Sequence, residues 1–152
     1  MRPPPELVVM VGLPGSGKSS FYRERFAATH VQVSKDLMKN VRGRQQRLVE
    51  LVGQALAAGR SVVVDNINAT VADRAALLAV GRAHQARLVA YHVDTEVRVC
   101  VARNRSREGR ARVPDVAIFA ARKRFTAPTA AEGFDAVFRV EADEGRFAVT
   151  PS

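Results

Sequence analysis

Apolar residues gather into five short runs: "ELVVMV" at 6–11, "HVQVS" at 30–34, "SVVVD" at 61–65, "RLVAYHV" at 87–93 and "AVFRV" at 136–140. Each has the length and β-branched content of a buried strand. Between them, segments 18–28, 44–58, 71–84 and 95–105 space their apolar residues near the helical period, as in Leu48, Leu51, Val52, Ala55 and Leu56. Alternating strands and helices predict an α/β domain with a parallel sheet, right-handed crossovers and helices on both faces. Gly59 fits the C-terminal end of the second helix, and Thr70 with Asp73 fits a capping box opening the third. The leading "PPP" reads as an extended tail.

The first run leads straight into Gly12-Leu-Pro-Gly-Ser-Gly17-Lys18-Ser19, which satisfies G-x-x-x-x-G-K-[ST] between a strand and a helix. A loop so poor in side chains lets successive amides converge on phosphate oxygens at a helix N-terminus. The nucleotide-binding set is therefore Gly12, Pro14, Gly15, Ser16, Gly17, Lys18, Ser19 and Ser20. Lys18 is expected to bridge the β- and γ-phosphates of ATP, and the Ser19 hydroxyl to coordinate Mg²⁺.

In an open parallel sheet the ligand crevice lies beyond the carboxyl ends of the strands. Two carboxylates sit there. Asp36, after the second run, is the expected base that draws the proton from an acceptor alcohol; its structural alternative is to cap a turn at 37–40. Asp65, closing the third run, is open to three roles: holding Mg²⁺ through water, binding the acceptor, or capping a turn with Asn66 and Asn68. "RNRSREGRARVP" at 103–114 brings five arginines around a glycine, and Pro114-Asp115 then opens a further helical stretch. Such a segment suits a lid that closes over ATP, its arginines offsetting charge on the moving phosphoryl group. Solvent-facing arginines at a helix end are the bland alternative.

Composition adds limits. The 152 residues, 47% of them hydrophobic, match one domain spanning 1–152. Cys100 is the only cysteine, so an internal disulfide is excluded, and a reduced, cytoplasmic setting with a buried structural thiol is expected. His30, His84 and His92 lack metal-ligand spacing and read as structural. No apolar run is long enough for a signal peptide or a membrane span. The net charge of +9 is uneven, since residues 98–124 hold nine basic and two acidic groups. A local excess of that size suits a polyanionic partner, although 20 of the 24 basic residues are arginine, which biased codon usage alone could produce. The closing "DEGRFAVTPS" carries no motif.

Taken in order, "GLPGSGKSSF", "VSKD", "VVVDNINATVADR", "ARNRSREGRARVPDV" and "RKRFTAPTAAEGFDAVF" resemble the kinase domain of the polynucleotide 5′-kinase family, within the P-loop kinases. The resemblance covers most of the chain, and "DNIN" followed by "FTAPTAAEGF" is its more specific part. It implies a three-layer P-loop kinase fold with a five-stranded sheet of order 2-3-1-4-5 and an arginine-rich lid. It also implies transfer of the ATP γ-phosphate to a 5′-hydroxyl of a DNA or RNA end. Carried over by position, Lys18 and Ser19 form the phosphate-loop pair, Asp36 the general base and Asp65 an acceptor-side carboxylate. Arg103 and Arg107 become the lid arginines. The chain departs from the family where Ser34-Lys35-Asp36 replaces Asn-Arg-Asp, and where Lys39 stands at the position of an arginine that contacts the acceptor's phosphate. Lysine keeps the charge there but not the bidentate geometry. The phosphatase modules that accompany this domain elsewhere have no room in 152 residues. Three outcomes remain open from sequence: a polynucleotide 5′-kinase, a kinase for a small alcohol, nucleoside or antibiotic, and a protein that only holds nucleotide.

Overall fold

The computed structural model describes residues 3–38, 42–109, 112–143 and 145–152, with the backbone alone described at Asp143. Six strands form one sheet in the order β2-β3-β1-β4-β5-β6. They are β1 (Glu6–Val11), β2 (Val31–Val33), β3 (Val62–Asp65), β4 (Arg87–Val93), β5 (Ala136–Asp143) and β6 (Arg146–Pro151). The first five are parallel and follow the expected order. The sixth corrects the five-strand expectation: the motif-free tail folds back as an antiparallel partner of β5, pairing Val140 with Val149.

Helices α1 (Lys18–Arg25), α2 (Arg44–Ala57), α3 (Val71–Ala83), α4 (Val97–Arg105) and α5 (Asp115–Arg124) fill the connections. α1 is shorter than expected and ends at Arg25. α2 closes as its glycine signals: Gly59 takes φ +78° and its amide donates to Leu56 O at 2.9 Å. α3 opens on the anticipated capping box between Thr70 and Asp73.

β1 is buried on both faces, which is why it reads as a continuous apolar run. Leu7, Val9 and Val11 enter one core layer with Leu48, Val52 and Leu56 of α2 and Leu77 and Leu78 of α3. Val8 and Met10 enter the other, with Phe21 of α1 and Val63 of β3. Five of β1's six residues are fully buried, so the loop that follows it is anchored at the centre of the sheet. No helix among the described residues is long and apolar enough to cross a membrane.

Candidate functional site

The loop after β1 turns sharply before α1 begins at Lys18. Gly15 and Gly17 take φ values of +81° and +106°, which non-glycine residues rarely adopt. Gly15 has a second constraint, because a Cβ there would stand 2.5 Å from the carbonyl oxygen of Cys100 on α4. Cys100 is buried, as expected for a structural thiol, and burial pushes its thiol pKa up. The loop and α4 are thus packed directly together.

Lys18 folds over the loop, and its Nζ donates to Gly12 O at 2.8 Å and Leu13 O at 3.0 Å. Burial pushes its ammonium down to about 8, while the charges of Asp65 and Asp36 act in the opposite direction and that of Arg107 adds to the fall. All three groups are therefore near enough to be felt at one amine. Ser19 Oγ donates to Asp65 Oδ2 at 2.8 Å, and Gln32 Nε2 of β2 donates to the same oxygen at 3.0 Å. Asp65 consequently faces the phosphate-loop serine. Ser16 Oγ is buried and lacks a hydrogen-bond partner.

Asp36 lies in a single 3-10 turn, Lys35–Leu37, at the end of β2. The cap of that turn is Ser34, whose Oγ accepts from the Asp36 amide at 3.2 Å; the alternative turn at 37–40 for Asp36 to cap runs outside the described residues. Asn66 fixes the turn to β3: its Oδ1 accepts from the Lys35 amide at 3.0 Å. Asp36 itself is exposed. Lys39 lies outside the described residues.

From the other side, Arg103 Nη1 of α4 donates to Ser16 O at 3.2 Å, and Thr95 Oγ1 donates to the same oxygen at 2.8 Å. Asp65, the turn bearing Asp36 and Arg103 thus gather around the phosphate loop at the carboxyl edge of the sheet, and the charge of Arg107 is felt at Lys18.

Sequence reading missed three members of this arrangement. Gln32 and Thr95 could have been found by extending to β2 and β4 the strand-end rule that picked out Asp65. Arg74 could not, because an arginine in a helical pattern reads as solvent-facing. It is fully buried instead. Its Nε and Nη2 clasp both carboxylate oxygens of Glu132 at 2.8 and 2.9 Å, and Nη1 donates to Asn68 O and Thr126 O. Arg74 therefore fastens the "DNIN" loop to "FTAPTAAEGF", the two stretches that are most specific to the resemblance.

A cavity of about 270 Å³ opens beside the loop, lined by Leu13, His92, Thr95, Arg122 and Phe125 among others. A larger, mostly apolar one of about 380 Å³ lies away from the phosphate loop, between β2, the Ser34–Met38 turn and α2. Among the described residues no cluster of histidine, cysteine and carboxylate side chains has metal-site form.

The family described as an AAA domain matches residues 7–128. A bifunctional polynucleotide phosphatase/kinase of Schizosaccharomyces pombe is 27% identical over 139 residues, 89% of this chain and 33% of that protein. The chain thus spans about a third of that relative's length. Among solved structures, a chain of the Pnkp1/Rnl/Hen1 RNA repair complex superposes with a TM-score of 0.66 at 23% identity, covering 82% of this chain and 45% of that one. Chaetomium thermophilum Kti12, solved with ADP-AlF3, gives 0.71 at 18% identity over 91% and 90% of the two chains. A gluconokinase from Sinorhizobium meliloti gives 0.64 at 18% identity over 94% and 86%. With more than half its length matched, the chain belongs to this AAA-domain family and has the P-loop kinase fold.

Proposed function

We propose that this protein is an ATP-dependent kinase that transfers the γ-phosphate to a 5′-hydroxyl at a nucleic acid end. The observation that carries the reading is geometric: Ser19 of the phosphate loop is hydrogen-bonded to Asp65 at 2.8 Å, and the turn that bears Asp36 is pinned to the same end of β3 through Asn66 at 3.0 Å. A protein that only stored nucleotide would have no use for a carboxylate on the acceptor side. The curated relative in Schizosaccharomyces pombe, matched over most of this chain, supports a polynucleotide acceptor.

In this reading the amides of Gly15, Ser16, Gly17, Lys18 and Ser19 cradle the β- and γ-phosphates, and the unpartnered Ser16 hydroxyl supplies one more donor. Lys18 exchanges the carbonyls of Gly12 and Leu13 for phosphate oxygens. Ser19 Oγ and the Asp65 carboxylate are hard oxygen donors held together, and they fit Mg²⁺, which when bound neutralises charge on the phosphates. Asp36 accepts the proton of the acceptor hydroxyl as its oxygen forms the new bond to Pγ. The bond from Pγ to the bridging oxygen breaks, and ADP leaves with that electron pair. Arg103 and Arg107 offset the charge that spreads over the transferring group.

The test is incubation with γ-labelled ATP and Mg²⁺ together with 5′-hydroxyl oligonucleotides of DNA and RNA, against a panel of small alcohols and nucleosides. Label on the oligonucleotides is expected, falling by about 10²- to 10⁴-fold in Asp36→Ala with nucleotide binding retained. Label on a small alcohol alone would replace the nucleic acid acceptor.

A further inference from the structure

α5 has two unlike sides. One buries Ile118 and Ala121 against Leu13 of the phosphate loop and Cys100 and Val101 of α4. The other leaves Val116 71% and Phe119 52% exposed. Isolated exposed apolar side chains need no explanation, but these two are three residues apart on one helix and are followed by Arg122 and Lys123. Positions three and four apart are surface neighbours on a helix, so both cations flank the Phe119 ring.

Among the described residues no carboxylate pairs with Arg122, Lys123 or Arg124; Asp115 of α5 is taken by Arg105 at 2.8 Å. This is the end of the 98–124 band, with nine basic and two acidic groups. The surface also continues to the phosphate loop, because Arg122 lines the 270 Å³ cavity together with Leu13 and Thr95. An exposed aromatic ring among unpaired cations, contiguous with a phosphate site, matches the chemistry of a single nucleic acid strand: bases stack on the ring while the cations follow the backbone.

We propose that the exposed flank of α5 is the platform for the acceptor strand, with a base stacked on Phe119 and backbone phosphates against Arg122 and Lys123. This extends the nucleic acid acceptor of the proposed function and rests on it. DNA and RNA share the ring-and-phosphate chemistry; the probes separate them.

Binding is measured by fluorescence anisotropy with 3′-labelled, 5′-hydroxyl dT12 and rU12, across a salt series. Phe119→Ala is expected to raise Kd about 5-fold or more, in line with base–aromatic stacking, with no change in the salt slope. Phe119→Trp should keep wild-type affinity. Arg122→Ala/Lys123→Ala should lower the slope of log K against log salt by about 1.4, at about 0.7 per phosphate contact on a single strand. All these side chains are exposed, and an unchanged Kd for a fluorescent ATP analogue verifies that each variant is folded. Oligonucleotide binding within twofold of wild type in Phe119→Ala overturns the platform and leaves α5 as a docking face for protein; so does a wild-type chain that binds neither oligonucleotide. The labelled-ATP assay separates the two ideas. Phe119-dependent binding without phosphate transfer rejects the kinase reaction on these ends and keeps the platform, whereas transfer with Phe119-independent binding does the reverse.

Discussion

Replacing Arg74 by methionine should be among the most damaging single changes outside the phosphate loop. The guanidinium is fully buried and engages four oxygens, two on Glu132 and one each on Asn68 and Thr126. Methionine fills much of the volume but donates nothing, so a carboxylate only 7% exposed is left without its counter-charge. Breaking one side of a buried pair costs about 3–5 kcal/mol. For a chain of this size that is a fall in Tm of roughly 6–20 °C. The loss comes mainly from the stranded charge, so Glu132→Gln added to Arg74→Met should restore part of it: the amide oxygen can still accept from the Thr129 amide, as Glu132 Oε2 does at 2.9 Å. Urea unfolding of wild type, both single variants and the double variant gives the coupling energy directly. A loss below about 1 kcal/mol in Arg74→Met would refute the reasoning. A double variant no more stable than that single variant would refute the assignment to unpaired charge.

Other expectations follow from the site. Lys18 titrates near 8 when folded against an ordinary 10.5, so between these values the unfolded chain holds more protons and stability should rise with pH, by on the order of 3 kcal/mol. The rise should be missing in Lys18→Met, compared by urea unfolding at pH 8 and pH 10. ATP binding near pH 8.5 should take up a fraction of a proton as phosphate restores the ammonium, read by calorimetry in buffers of different ionisation enthalpy. Gly15→Ala should abolish binding of a fluorescent ATP analogue, since both the φ of +81° and the Cys100 carbonyl oppose a side chain. Thr70→Ala removes one half of a capping box and should lower stability by about 1 kcal/mol, measured by chemical unfolding.

What was legible in the sequence is what local pattern encodes. β1, β3 and β4 lie inside a parallel sheet, so their apolar runs are unbroken, and the phosphate loop repeats a spacing imposed by its own backbone. Asp36 and Asp65 became candidates because topology puts ligands at strand ends. β6 was invisible for the opposite reason: its burial alternates, with Phe147 and Val149 turned inward between exposed Arg146, Ala148 and Thr150, and only pairing with β5 makes a strand of it. Arg74 and Glu132 are 58 positions apart, and neither residue type announces burial. Serine and aspartate are both favoured caps, so local sequence does not say which of them caps the Lys35–Leu37 turn; the backbone geometry selects Ser34.

The returning hairpin also bears on how the protein behaves in concentrated solution. Without β6, the long β5 would offer an unpaired main-chain rim of a kind that other molecules can extend into fibrous stacks. β6 instead presents a short margin with arginine at one end and, at the other, a proline that has no amide hydrogen to give. At the opposite margin, β2 is three residues long and offers a poor template for a newcomer. Self-association on heating should therefore require the hairpin to peel away first.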